Sequence, residues 1–291
     1  MDCEEKPIRA HSIQNSRILD LIQTDGHVIM PGYSLEKGEP KLGFKKVGRN
    51  EASTFSGLCS KHDTELFKAI DNEQFNDDNR VHRQQLAYRA VMHEFHTELE
   101  NAERANVLHY ETCKAEGKDP NTTETAAVHL WAQWMKKSQK VYAYRRRHFD
   151  SPIENGKEPL LRHLIITMDN QAPVLACSAL FSTGFTADDA IIGPMLNVVP
   201  LNDKRSVALL SCPAEQWAEI KRTLSNVFDA DKKTLKHELA KLIIERVENF
   251  TLSPAHYAKW SDDRKARVLR EFEKSLTGEE LEDHPDLNIF L

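Results

Sequence analysis

The sequence predicts an α+β protein in three parts, on three observations. Residues 1–79 carry Gly and Pro punctuation and short apolar runs without a sustained period. Residues 80–149 repeat apolar side chains at three- and four-residue steps, the period of long helices. Residues 150–291 begin with β-branched-rich runs of strand length and then return to helical spacing.

The first part should be loop-rich. Asn15 or Ser16 can cap a helix carrying Ile18, Leu19, Leu21 and Ile22. Gly26 ends it, and His27 to Met30 forms a short strand. Pro31 to Lys41 reads as a hairpin tip and Leu42 to Val47 as a second strand. In the second part Leu86, Val91, Phe95, Leu99, Ala102 and Val107 share a face. Gly117 and Pro120 interrupt, Thr122 or Thr123 caps, and Ala126, Leu130, Trp134 and Val141 follow. A short loop between long helices implies an antiparallel hairpin.

SPIENGKEP, residues 151–159, is a linker by composition. Beyond it, runs at 160–168 and 173–180 flank Asp169-Asn170-Gln171. Runs at 195–201 and 206–212 flank Asn202-Asp203-Lys204. Two hairpins and an antiparallel sheet of four strands are expected, with a loop over 183–194. C-terminal helices follow through Trp217, Leu239 and Val268, one of them started by Ser253-Pro254.

The chain of 291 residues is long enough for one large domain or two ordinary ones. Net charge is −6, so nucleic-acid binding would need a local basic surface rather than overall charge. MDCEEKPIR lacks the apolar segment of a secretory signal, and no run reaches the roughly 18 apolar residues of a membrane helix. Cys3, Cys59, Cys113, Cys177 and Cys212 are odd in number and irregular in spacing, which argues against a disulfide framework. The expectation is a cytoplasmic protein away from membranes. No Gly-rich phosphate loop, Gly-x-Ser-x-Gly elbow or kinase signature is present, which disfavours NTPases, α/β-hydrolases and dinucleotide enzymes.

Chemistry concentrates at EASTFSGLCSKHDTELF, residues 51–67. Cys59 and His62 stand at Cys-x-x-His spacing ahead of a helical pattern, one half of a zinc knuckle. Cys3 and His11 are the candidates for the second half, with His27 in reserve. A loop-rich segment buries little apolar surface, so a structural zinc would help hold it. The competing reading is ordinary packing without a metal.

Ala10-His11-Ser12-Ile13 followed by Leu58-Cys59-Ser60-Lys61-His62-Asp63 resembles the HNH or treble-clef zinc-module group. AHSIQ, DGHV and the knuckle stretch together also resemble a bacterial protein family. The likeness covers about a quarter of the chain, residues 1–70. It implies His11 as general base, Asp63 as ligand of a divalent metal, a DNA or RNA substrate, and a role in bacterial phage defence. Three positions depart from the group. Ala10 replaces an acidic residue or His, residues 51–54 lack the usual Asn, and Asp63 replaces His or Asn.

Three further patterns carry candidate chemistry. Lys136, Lys137, Lys140, Arg145, Arg146 and Arg147 interleave with Trp131, Trp134, Tyr142 and Tyr144, as in single-strand binders; a capped helix end explains the same cations. Arg104 to His109 has the Arg-x4-His spacing of HEPN ribonucleases, or is a solvated helix face. His93 and His96 stand at i and i+3, as metal ligands or surface residues. Asp169, Asp188 and Asp189 fit turn chemistry. Two functions therefore stand open. One is a nucleic-acid-directed protein with an HNH-like zinc module. The other is a non-enzymatic binding or assembly subunit, with a protein partner or a second copy, in which zinc is only a staple.

Overall fold

A central antiparallel sheet separates two helical layers in the computed structural model, which describes residues 4–36 and 39–291. The chain opens with β1 (Pro7–His11), β2 (His27–Glu36), β3 (Glu39–Gly48) and β4 (Thr54–Cys59). Helices α1 (Ser60–Asn72), α2 (Arg80–Ala115), α3 (Ala126–Arg145) and α4 (Ser151–Glu154) follow. Next come β5 (Leu161–Asp169), β6 (Leu175–Leu180), β7 (Gly184–Phe185), β8 (Ile191–Ile192), β9 (Met195–Asn202) and β10 (Arg205–Pro213). The chain closes with α5 (Trp217–Thr223), α6 (Ser225–Phe228), α7 (Leu235–Arg246), β11 (Phe250–Leu252), α8 (Pro254–Tyr257) and α9 (Asp262–Thr277).

The helical pair forms as the periodicity predicts. Asn79 caps α2 by accepting from Val81 N at 2.9 Å. The cap of α3 is Thr125 rather than Thr122 or Thr123, accepting from Val128 N at 3.2 Å. Three contacts, Glu98 with Lys137, Met92 with Arg145 and His109 with Thr125, hold a nearly constant sum of positions. That is an antiparallel register. At about 1.5 Å per residue α2 is about 54 Å long, so only part of it covers the sheet.

The sheet differs from the expectation. It has seven strands, in the order β3-β2-β11-β6-β9-β10-β5, not four. The β9–β10 hairpin is present, with Val207 opposite Val199. The β5–β6 hairpin is not: β5 pairs with β10, and β6 with β9 and β11, a Greek-key order. A Cys- and Ala-bearing run such as LACSAL has no local signal for its partner. It pairs where burial on both faces is greatest, and all six of its residues are buried.

Alternation sorts the side chains between the layers. Ala176 and Leu180 of β6, with Met195 and Val199 of β9, pack against Ala87, Ala90 and Val91 of α2. Their neighbours Leu175, Cys177, Leu196 and Val198 pack against Leu239 and Ile243 of α7 and Phe272 of α9. Each fully buried Leu or Phe of these layers contributes about 1.5–3 kcal/mol.

The first 79 residues do not form a closed module. β1 pairs only with β4, while the intervening β2–β3 hairpin joins the main sheet through Ile29 opposite Leu252. The helix expected after Ser16 is reduced to one 3-10 turn, Leu19–Leu21. Linker residues 151–154 form α4, after a π-helical turn over Arg146–Asp150. Ser253-Pro254 starts only the single turn α8; Ser261 caps the long α9.

Candidate functional site

β1 and β4 form a separate two-stranded antiparallel sheet, and α1 follows β4 directly. Its register separates the predicted residues: Pro7 faces Cys59, and His11 faces Thr54. Four residues of strand put His11 about 13 Å from the Cys59 end. His11 therefore stands apart from Cys59 and His62, and the four-ligand set Cys3, His11, Cys59, His62 is not brought together at one point. Cys3 lies outside the described residues.

At the knuckle end, Cys59 is buried and occupies the N-cap of α1. Its Sγ is 3.3 Å from His62 Nδ1. Two ligands of one tetrahedral zinc, at Zn–S of about 2.3 Å and Zn–N of about 2.0 Å, stand about 3.5 Å apart. The pair therefore fits two corners of a zinc site. Among the described residues no group of three or more His, Cys, Asp or Glu could hold a metal. If zinc is held here, purified protein contains one zinc per chain by elemental analysis and Cys59→Ser loses it. Zinc retained in Cys59→Ser would exclude this pair as ligands.

At the other end, the chain is tightly specified around His11. Its Nδ1 lies 3.0 Å from the Ala52 carbonyl. A carbonyl only accepts, so Nδ1 carries the proton and Nε2 the lone pair. Burial holds this imidazole below the usual histidine range, hence neutral near pH 7. Ser53, next to Ala52, is left-handed at φ 56°. Four hydrogen bonds hold that strained residue: Ser53 O accepts from Ser12 N and Oγ, while Ser53 Oγ accepts from Ile13 N and donates to Ile13 O. Asn249 Nδ2 donates to Ser12 Oγ at 2.8 Å, tying this turn to the main sheet.

Asp63 and Asp71 lie on α1, and Arg89 reaches them from α2. Arg89 makes a two-pronged pair with Asp71, at 2.8 and 2.6 Å, and stacks 4.1 Å over Phe67. The Arg89 charge lowers both the His11 imidazole and the Asp63 carboxyl, and the Asp71 charge raises both. Among the described residues Asp63 Oδ1 is buried with no hydrogen-bond partner, and burial raises its carboxyl above the usual range. Arg89 and Asp71 were not anticipated from the sequence. Each is one charge in a charged helix, and only the crossing of α1 and α2 pairs them.

A cleft of about 480 Å³ opens beside the knuckle, lined by Cys59, His62, Tyr88, His96, Arg145 and Asp150. Its floor is polar but committed. Asp150 accepts from Tyr88 Oη at 2.6 Å and from Arg145 Nε at 3.0 Å. His96 packs on Gly57, where a Cβ would come within 2.1 Å of the ring, so only glycine permits the contact.

The basic stretch does not present bare cations. Lys136 and Lys140 pair with Asp189, Lys137 with Glu94 and Glu98, Arg145 with Asp150, Arg146 with Glu154 and Arg147 with Glu215. Tyr144 is buried, donating to the Gly193 carbonyl at 2.8 Å. The Arg-x4-His pair is not a site either: His109 is buried with both ring nitrogens engaged, by Thr125 and Pro120, while Arg104 is 75% exposed. His93 and His96 are half-buried rather than surface residues: His93 meets Phe55 edge-on and His96 stacks on it. Among the described residues no helix is long and apolar enough to cross a membrane. No family model, curated protein or solved structure matches this chain.

Proposed function

We propose that this protein is a nucleic-acid-directed hydrolase of HNH-like build, with His11 as general base and Asp63 as an oxygen ligand for a divalent metal. One observation carries the reading. The Ala52 carbonyl holds Nδ1–H of His11, which fixes Nε2 as the basic nitrogen, and Asp63 offers a buried carboxylate oxygen with no hydrogen-bond partner among the described residues. Nε2 takes the proton of a water attacking phosphorus. A divalent ion, when bound, supplies charge stabilisation at the phosphate. The separation of His11 from Cys59 and His62 supports a division of labour. Zinc at the knuckle would be a staple, with Cys3 supplying a third ligand, and His11 would be left to catalysis.

Substrate contact through the basic stretch falls to Lys136 and Arg147. They are 71% and 64% exposed, and their ion pairs are 3.8 Å long. The likeness of residues 1–70 to the bacterial group extends the proposal to phage defence.

The test is cleavage of single-stranded DNA, duplex DNA and RNA with Mg²⁺ or Mn²⁺. The wild type should cut at least one of them, and His11→Ala should lose about 100-fold or more in rate while melting at the same temperature. A wild type that cuts none ends the reading. The alternative, a non-enzymatic assembly subunit, is favoured by the carboxylate partner beside each cation of 136–147.

A further inference from the structure

A second cavity, of about 250 Å³, lies where α2 and α3 meet the end of β6 and the turn between α7 and β11. It is independent of the His11 site. Three carboxylates line it, Glu94, Glu98 and Glu248, against one resident ammonium, Lys137. Arg246 and Glu245, also on its wall, pair with each other at 2.8 Å and cancel. Carboxyl groups therefore outnumber the ammonium on this wall.

Lys137 shows what the site accepts. Its Nζ contacts Glu98, lies 3.6 Å from Glu94 and sits 5.3 Å over the Trp134 ring. Its side chain is half exposed. The acceptors around it are not used up. Glu98 is 1% exposed and shares a side-chain hydrogen bond with Glu94, yet its Oε2 has no other partner among the described residues. His93, on the same wall, has an unpartnered Nδ1. Burial pushes Glu94 up to about 8, with the neighbouring Glu98 adding to the effect against Lys137, so this carboxyl retains a proton near neutrality.

The kind of cation follows from the spacing. Among the described residues no three acidic or imidazole groups converge closely enough to hold a metal ion. An ammonium spreads three N–H donors to acceptors about 2.8 Å away, so it serves a wider cage. Trp134 and Phe181 supply apolar and aromatic wall for a short hydrocarbon body and a face for its charge.

We propose that this cavity binds a short alkylammonium compound, its charged head among Glu94, Glu98 and Glu248 and its methylenes along Trp134 and Phe181. The ligand shares the carboxylates with Lys137 or displaces it.

Calorimetric titration of the full chain at low ionic strength and pH 7 tests this, with n-butylamine and putrescine as probes and 1-butanol and MgCl₂ as controls. Saturable binding of an amine at one site per chain is expected, with none for 1-butanol. Glu98→Gln should weaken it by about tenfold or more, the loss of one charge-assisted contact. Lys137→Met should tighten it, because the internal competitor is gone. Circular dichroism melting checks the folding of each variant. If Glu98→Gln does not fold, Glu248→Gln takes its place with the same expected loss. No amine binding to either wild type or Lys137→Met overturns the proposal. So does an affinity unchanged in the folded carboxylate variant, or Mg²⁺ binding that amines do not compete with.

Discussion

Replacing Arg89 by methionine should cost about 3–5 kcal/mol of folding stability, the usual result of removing one partner of a buried ion pair. Arg89 is 3% exposed and bonds both oxygens of Asp71. Methionine keeps the stem that covers Phe67 but removes the charge. Asp71, 29% exposed, is then left without its cation, and Asp63 loses the positive charge that holds its carboxyl down against burial. The cost is thus uncompensated charge more than lost attraction. Urea unfolding of Arg89→Met, Asp71→Leu and the double variant separates the two. The double variant should recover most of the loss, because no bare carboxylate is left at position 71. A single variant within 1 kcal/mol of wild type would show that Asp71 simply turns to solvent. Because the pair lies beside His11, a folded double variant also reports whether this charge matters to cleavage.

Stability should peak near pH 6.5 and fall on both sides. Burial holds His93 and His96 at about 4, against an ordinary 6.5; Arg145 adds to the effect at His96. Burial likewise holds His148 and His163 at about 4. A depressed histidine means that the unfolded chain binds a proton at a pH where the native one does not. Stability from these groups is complete above 6.5 and is lost as pH falls toward 4. At about 1.4 kcal/mol per unit, His93 and His96 each account for about 3 kcal/mol. Glu94 acts in the opposite direction. Raised to about 8 by burial, it adds stability that is complete below its unfolded value and lost as pH rises to 8. Between 4.5 and 6.5 the histidines outnumber it, so acid destabilises. Above 6.5 Glu94 sets the slope, so alkali destabilises more gently. Urea midpoints from pH 4.5 to 8.5 should trace this dome. His93→Gln with His96→Gln should flatten its acid limb, and Glu94→Gln its alkaline limb. A midpoint constant from 6.5 down to 4.5 would contradict the burial of these rings.

Local pattern and tertiary pairing divide this protein cleanly. The sequence by itself determined the α+β class, the helical pair and most strand positions, because period and punctuation are local properties of a few residues. It also marked Cys59 and His62, since their approach needs only three residues at the start of one helix. It did not determine the sheet. FTL at 250–252 is too short to declare itself, yet it carries the pairing between β2 and β6 that makes one seven-stranded sheet. Nor could it assign His11. Only the β1–β4 register shows that His11 and Cys59 lie at opposite ends of a two-stranded sheet. The basic stretch is the opposite case. Its cations were plain in the sequence, but their carboxylate partners at 94, 98, 189 and 215 come from α2, from the turn before β8 and from the turn after β10. Charge is written residue by residue, whereas its neutralisation depends on which distant carboxylate packing brings within 4 Å.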